Sequence, residues 1–187
     1  MTTNRRVVDK VQEDFYVTPK WATEALLKVH YIPIDRTILE PCCGDGAISK
    51  VLEEHGCSVV SSDIVNRGYG NTISVYDYKV SHGVVITNPP YNDMNRMFPV
   101  LYNLADLELC LLLRLAFLEG QERYNKIFGF NAPSKIYVFS ERLSMYKNGD
   151  RGNRASGTTA YAWFIWNKSV RSNSSQLMWI PPGNKTD

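Results

Sequence analysis

The chain has 187 residues, 44% of them hydrophobic, and its 21 Lys and Arg against 19 Asp and Glu leave a formal charge of +2. That length fits one domain with a proper core, and so small a charge is a weak electrostatic footprint for a binder of duplex nucleic acid. The longest apolar run, Leu107 to Leu118, contains Glu108 and Arg114 and falls short of a membrane span, and the N-terminus has no hydrophobic signal core. Cys42, Cys43, Cys57 and Cys110 lack paired ligand spacing and His30, His55 and His82 are scattered, which argues against a metal site and fits reduced thiols.

In chain order, Thr18 reads as the cap and Pro19 as the first residue of a helix whose Ala22, Ala25, Leu26 and Val29 share one face. A strand near 37–40 then runs through Glu40 and Pro41 into Cys42-Cys43-Gly44-Asp45-Gly46, where two glycines allow a sharp turn and close approach of a ligand. The helix opened by that turn, 47–55, carries Ile48, Val51 and Leu52 at helical spacing and stops at Gly56. The next strand, 58–63, ends in Asp63, an acid placed to accept hydrogen bonds from ribose hydroxyls beside a glycine turn. Strands follow near 72–76 and 84–87, the second being the β-branched run Val84-Val85-Ile86-Thr87 of a buried parallel strand.

Directly after that strand comes Asn88-Pro89-Pro90-Tyr91. The two prolines forbid helix and further ladder pairing, so the backbone leaves the sheet stiff and extended. One amide, one carbonyl and one aromatic ring then stand at the rim, suited to a planar amine: acceptors for its hydrogens and a ring for its face. Nothing in the group titrates near neutral pH, so it does not suit acid–base hydrolysis. A rigid surface turn is the other reading of the same four residues. Beyond them, 92–104 is helical with Met94, Met97, Phe98, Leu101 and Leu104 apolar, 107–113 is a buried strand, and strands near 135–140 and 158–167 flank a polar, glycine-rich stretch. The alternation implies an α/β sandwich around a largely parallel sheet in one domain, 1–168, with a polar tail over 169–187.

Glu40-Pro41-x-x-Gly44-x-Gly46, Asp63 at the next strand end, Asn88-Pro89-Pro90-Tyr91 and the N-terminal Phe15-Tyr16-x-Thr18-Pro19 stand in the order in which they resemble the S-adenosylmethionine-dependent amino-group methyltransferases. Within these, the chain is most similar to small phage-type DNA adenine-N6 methyltransferases, over roughly residues 12 to 168. The resemblance implies a Rossmann-like class I methyltransferase fold, a mostly parallel seven-stranded sheet with a final antiparallel strand. It implies S-adenosylmethionine as cofactor, with Gly44 and Gly46 beneath its methionine part and Glu40, next to Pro41, orienting the amino group through the loop. Asp63 would take the ribose, Asp77 the adenine amine, and Phe15, Tyr16, Thr18 and Pro19 would close the pocket. Asn88 and the Pro89 carbonyl would bind the target amine, with Pro90 stiffening the loop and Tyr91 stacking on a flipped base. Asp63 also reads as a solvated strand end, Asp77 as a turn residue, and Phe15 and Tyr16 as core aromatics. A dinucleotide enzyme is disfavoured because Gly44-x-Gly46 lacks a third glycine, position 49 being Ser.

For the substrate, the segment Glu141 to Arg154 has a local surplus of +2 from Arg142, Lys147, Arg151 and Arg154, suited to tracking the phosphates of duplex DNA; as a plain solvated hairpin it would do nothing more. A second basic candidate is Arg114 through Lys126. Larger relatives carry a separate target-recognition region for which this chain has no room, so specificity would come from short loops, from a homodimer or separate specificity partner, or be low. An RNA adenine, a protein glutamine or a retired binding module are the alternative readings. The location expected is cytoplasmic, in the host if the chain is phage-encoded.

Overall fold

A computed structural model describes residues 15–147, 158–171 and 173–185. In chain order, β1 (Tyr16–Val17) leads into helix α1 (Lys20–Val29), and β2 (Ile38–Glu40) into α2 (Ala47–Glu54). After β3 (Val59–Asp63) and β4 (Asn71–Thr72) come a 3-10 turn at Val75–Asp77, β5 (His82–Thr87), a second 3-10 turn at Tyr91–Asp93, and α3 (Met94–Leu104). The chain continues through β6 (Ala105–Arg114), a helical segment α4 over Gln121–Phe128, β7 (Lys135–Phe139), β8 (Tyr146–Lys147), β9 (Tyr161–Asn167) and β10 (Gln176–Ile180).

Eight strands form one sheet in the order β10-β7-β9-β6-β5-β2-β3-β4. All neighbours pair in parallel except around β9, which runs antiparallel to both β6 and β7. This is the mostly parallel α/β sheet with one antiparallel strand that the sequence implies, with two differences. Among the described residues the sheet has eight strands rather than seven, and the antiparallel strand is not the last. Part of the stretch expected as a polar tail supplies β10, which pairs in parallel with β7 and buries Ile180.

Strand side chains alternate between two apolar layers, as a pleated sheet requires. Val84 and Ile86 face Trp21, Leu26, Ile48 and Leu52 of α1 and α2, whereas Val85 faces Met97, Phe98 and Leu101 of α3. The antiparallel strand spans both layers: Trp163 packs with the first and Phe164 and Trp166 with the second. The indole N–H of Trp163 donates to the Ala22 carbonyl at 3.0 Å and ties α1 to the sheet. At the far end of the sheet, His30 Nε2 lies 2.9 Å from Glu108 Oε2, and Asn167 Nδ2 donates to Glu108 Oε1 at 2.8 Å, so these buried and half-buried polar groups satisfy one another. Among the described residues, no helix is long and apolar enough to cross a membrane.

Two local expectations change. Thr18 makes no cap: Pro19 precedes the first turn of α1 without a side-chain cap bond, and the Thr18 hydroxyl accepts from Asn88 instead. The strand expected at 72–76 ends at Thr72, because Ser74 takes the Tyr76 N–H and starts a 3-10 turn.

Removing the Trp163 side chain leaves a cavity and takes away the indole bond to the Ala22 carbonyl. Trp163→Ala should therefore cost about 3–5 kcal/mol in urea unfolding. A loss below about 1 kcal/mol would show that α1 is anchored elsewhere.

Candidate functional site

The chain leaves β2 for β3 on one side of the sheet and later returns to β5 on the other. Such a reversal opens a crevice at the carboxyl ends of the strands, the usual ligand position in open α/β sheets. A cavity of about 280 Å³ lies there, walled by Phe15–Thr18, the turn after β2, the end of β3, the turn before β5, and Asn88 to Met97.

The turn is built for close approach. Gly44 has φ +56° and Gly46 φ +82°, a region that side-chain-bearing residues rarely adopt. A Cβ on Gly44 would come within 2.4 Å of Phe15 Cε2, so the ring packs on bare backbone. The Gly44 N–H donates to Asp63 Oδ2 and the Val65 N–H to Asp63 Oδ1, each at 2.9 Å, fixing the carboxylate while leaving lone pairs on both oxygens.

Glu40 is buried behind the turn. Its Oε2 accepts the Ser49 N–H at 2.8 Å, one of the first N–H groups of α2 that has no partner within the helix, and also the Ser49 hydroxyl. Ser49 Oγ then reaches Ser61 Oγ at 2.6 Å, joining the turn, α2 and β3. Burial pushes the Glu40 carboxyl up to about 8, aided by the charges of Asp63 and Asp45 and opposed by the Ser49 bonds. The neighbouring Cys43 thiol is pushed up to about 12 by burial and by Glu40 and Asp63, so it stays protonated at neutral pH.

On the opposite wall, Asn88 Nδ2 donates to the Tyr16 carbonyl at 3.2 Å and to Thr18 Oγ1 at 3.1 Å. A carbonyl can only accept, so the amide orientation is fixed, with Oδ1 left as the acceptor. Tyr91 donates its hydroxyl to that Oδ1 at 2.6 Å. The Tyr91 ring lies 4.6 Å from the Arg114 guanidinium carbon and 6.0 Å from the Tyr161 ring, two residues set opposite each other by the β6–β9 register. The site therefore offers an oriented amide oxygen, an adjacent carbonyl at Pro89 and an aromatic face, with a glycine cradle and an acid beside them.

Of the expected site residues, Phe15, Tyr16, Thr18, Glu40, Pro41, Gly44, Asp63 and Asn88 through Tyr91 all line the cavity. Pro19, Gly46 and Asp77 do not. Gly46 is covered by Tyr69, whose ring leaves no room for a Cβ, and Asp77 falls in the 3-10 turn while Ser74, Val75 and Tyr76 face the cavity. Arg142 is exposed, donates to the Thr158 carbonyl at 3.3 Å and is not a lining residue. Lys147 pairs through its backbone with Tyr16. Arg151 and Arg154 lie outside the described residues. In the second basic candidate, Arg123 is spent on the carbonyls of Ala116 and Glu119, and Lys126 pairs with Glu122.

Sequence reasoning missed Arg67, Tyr76, Asp93, Arg96 and Met97, all of which line the cavity. Asp93 takes the Tyr76 hydroxyl at 2.5 Å and Arg96 stands over the same ring at 4.7 Å. The signal for the last three was available: residues opening a helix immediately after a strand end point back toward that end. Arg67 sits in an irregular loop, where no periodicity marks it.

No family model and no curated protein matches the sequence. Solved structures do match in fold. A protein from Pyrococcus horikoshii proposed to be an RNA methyltransferase superposes with a TM-score of 0.64 at 15% identity, covering 86% of this chain and 89% of that one. The type I restriction-modification methyltransferase subunit of Streptococcus thermophilus gives 0.63 at 10% identity, covering 90% of this chain but only 48% of its own. A proposed class I S-adenosylmethionine-dependent methyltransferase from Listeria monocytogenes gives 0.61 at 13% identity, with 91% and 67% covered. The fold is the Rossmann-like class I methyltransferase fold.

Glu40 carries a pH signature. Its carboxyl is raised from 4.5 to about 8, so the folded chain holds that proton more tightly than the unfolded chain. Its contribution to stability is full below about pH 4.5 and is lost as the pH rises through about 8. Glu40→Gln, neutral throughout, should flatten this decline in denaturation midpoints taken across that window. Parallel curves for both proteins would show that Glu40 is ionised in the fold.

Proposed function

We propose that the chain transfers a methyl group from S-adenosylmethionine to the exocyclic N6 amine of adenine in DNA. The observation that carries this reading is the Asn88 amide, oriented by Tyr16 and Thr18 and lining the cavity that the glycine turn and Asp63 share. The residues present fit the cofactor: a bare Gly44 backbone for close approach and a held carboxylate with spare lone pairs for ribose hydroxyls. The methyltransferase fold of the solved relatives supports the same cofactor.

When bound, S-adenosylmethionine supplies an electrophilic methyl group on sulfur. The chain's own task is alignment, since an aromatic amine is a weak nucleophile whose lone pair is delocalised into the ring. Asn88 Oδ1 and the Pro89 carbonyl accept its two hydrogens, which draws the nitrogen toward tetrahedral geometry and frees the lone pair. The Tyr91 hydroxyl holds the Oδ1 position. An entering amine takes that place, and the Tyr91 ring then covers the face of the flipped base, offsetting part of the few kcal/mol of unstacking.

An RNA adenine or a protein glutamine poses the same alignment problem. DNA is favoured by the order of the four motifs and by the type I restriction-modification subunits among the similar folds, over 90% of this chain in each case. Those proteins are subunits, which favours a specificity partner for this chain too. Lys147, Arg151 and Arg154, with Arg142, are the proposed phosphate contacts.

The test is transfer of labelled methyl from S-adenosylmethionine to unmethylated duplex DNA, with RNA and protein extract in parallel. N6-methyladenine in DNA is expected; label only in RNA or protein would move the substrate. Asn88→Ala should abolish transfer and leave cofactor affinity nearly intact, whereas Asp63→Ala should weaken cofactor binding. Unchanged turnover in Asn88→Ala would sink the mechanism. Replacing Arg151 and Arg154 together with Ala should weaken DNA binding and make log K less steep against log salt by about one unit per lost phosphate contact. An unaltered slope would put the phosphate contacts elsewhere.

A further inference from the structure

The guanidinium carbon of Arg67 lies 3.9 Å from the centre of the Phe15 ring, and both side chains line the cavity. Phe15 in turn packs on the bare backbone of Gly44, so the ring is held between the glycine turn and the guanidinium. A guanidinium laid on an aromatic face keeps its in-plane N–H fork available for a planar acceptor such as a carboxylate. Arg67 forms no ion pair among the described residues. Its Nε is buried without a hydrogen-bond partner, an unfavourable state that an anionic ligand would relieve.

The charges of the cavity point the same way. Its carboxylates are Asp45, Asp63 and Asp93, beside the buried carboxyl of Glu40, and its cations are Arg67 and Arg96. Arg96 stands over Tyr76, beside the Asp93 carboxylate that takes the Tyr76 hydroxyl. An amino-acid ligand brings an ammonium, which the carboxylates can serve, and a carboxylate, which needs a cation. Thr18, the hydroxyl of the N-terminal segment, is already bonded to Asn88.

We infer that Arg67, seated on Phe15, binds the α-carboxylate of an S-adenosyl amino acid in this cavity. The inference rests on the cofactor reading of the same site and adds to it the residue that recognises the amino-acid end. Phe15 is then the platform that holds the guanidinium flat, which is why an aromatic ring rather than an aliphatic side chain covers Gly44.

The experiment is calorimetric titration of the full chain and of Arg67→Ala with two ligands. S-adenosylhomocysteine carries the amino-acid carboxylate; 5′-methylthioadenosine has the same nucleoside and a thioether but no carboxylate. Arg67→Ala should weaken S-adenosylhomocysteine by about ten- to hundredfold, the range of a charge-assisted hydrogen bond, and leave 5′-methylthioadenosine within about twofold. Arg67→Lys, with the charge but not the fork, should fall between, and it decides in the same way if Arg67→Ala does not fold. An equal loss for both ligands would place Arg67 on the nucleoside and overturn the inference, as would no loss for either. A wild-type chain that binds neither ligand overturns the cofactor reading itself, and the inference with it.

Discussion

A backbone carbonyl can only accept a hydrogen bond, and in this chain that asymmetry sets the direction of a side chain seventy residues away. The Tyr16 carbonyl takes Asn88 Nδ2, and Thr18 Oγ1 takes the same nitrogen, so Oδ1 has one way to point. The proposed contacts to a substrate amine depend on that choice. The N-terminal segment therefore has two duties: Phe15 roofs the glycine turn while Tyr16 and Thr18 orient the amide. Its short pairing with β8, Tyr16 against Lys147 and Val17 against Tyr146, keeps the carbonyl in place and connects it to the root of the basic connection.

The opposite wall depends on a second shared element. Glu40 ends β2, closes the start of α2 through Ser49 and, through the Ser49–Ser61 contact, bridges to β3. Asp63 at the end of β3 holds the Gly44 N–H in return. Strand ends, turn and helix start are thus locked to one another by buried carboxylates. Burial resists ionisation of Glu40 while the helix start and the serine favour it, and burial prevails.

Much of this was legible in the sequence. Val84-Val85-Ile86-Thr87 could only be a buried strand, and the prolines after it fixed where it ends; Gly44 and Gly46 announced left-handed backbone, and both have it. What escaped depended on partners distant in sequence. Thr18 has the residue type of a helix cap, but a side-chain amide from beyond β5 competes for its oxygen and wins. Asp77 follows an apolar pair that reads as strand, yet the Ser74 side chain captures the Tyr76 N–H and turns the chain early. Gln176 to Ile180 is bounded by serines and prolines and looks like tail; only the open edge of β7 makes it a strand. Arg67 had no periodic signal at all, and only the Phe15 ring gives it a place.

The antiparallel strand has a consequence for the order of folding. β9 lies between β6 and β7, both of which precede it in the chain, and it holds Trp163, Phe164 and Trp166 in the interior. Until residues 161–167 leave the ribosome, β6 and β7 each lack a neighbour on the side β9 fills, and both apolar layers lack large buried aromatic side chains. The nascent chain can shape β2, β3 and β5 early, but the sheet closes only by inserting a late segment between two earlier ones. Pairings of such long sequence separation fold slowly and leave strand edges open to other chains meanwhile. The half of the sheet that holds the glycine turn is complete first, and the half that steadies Tyr91 through Tyr161 is added last.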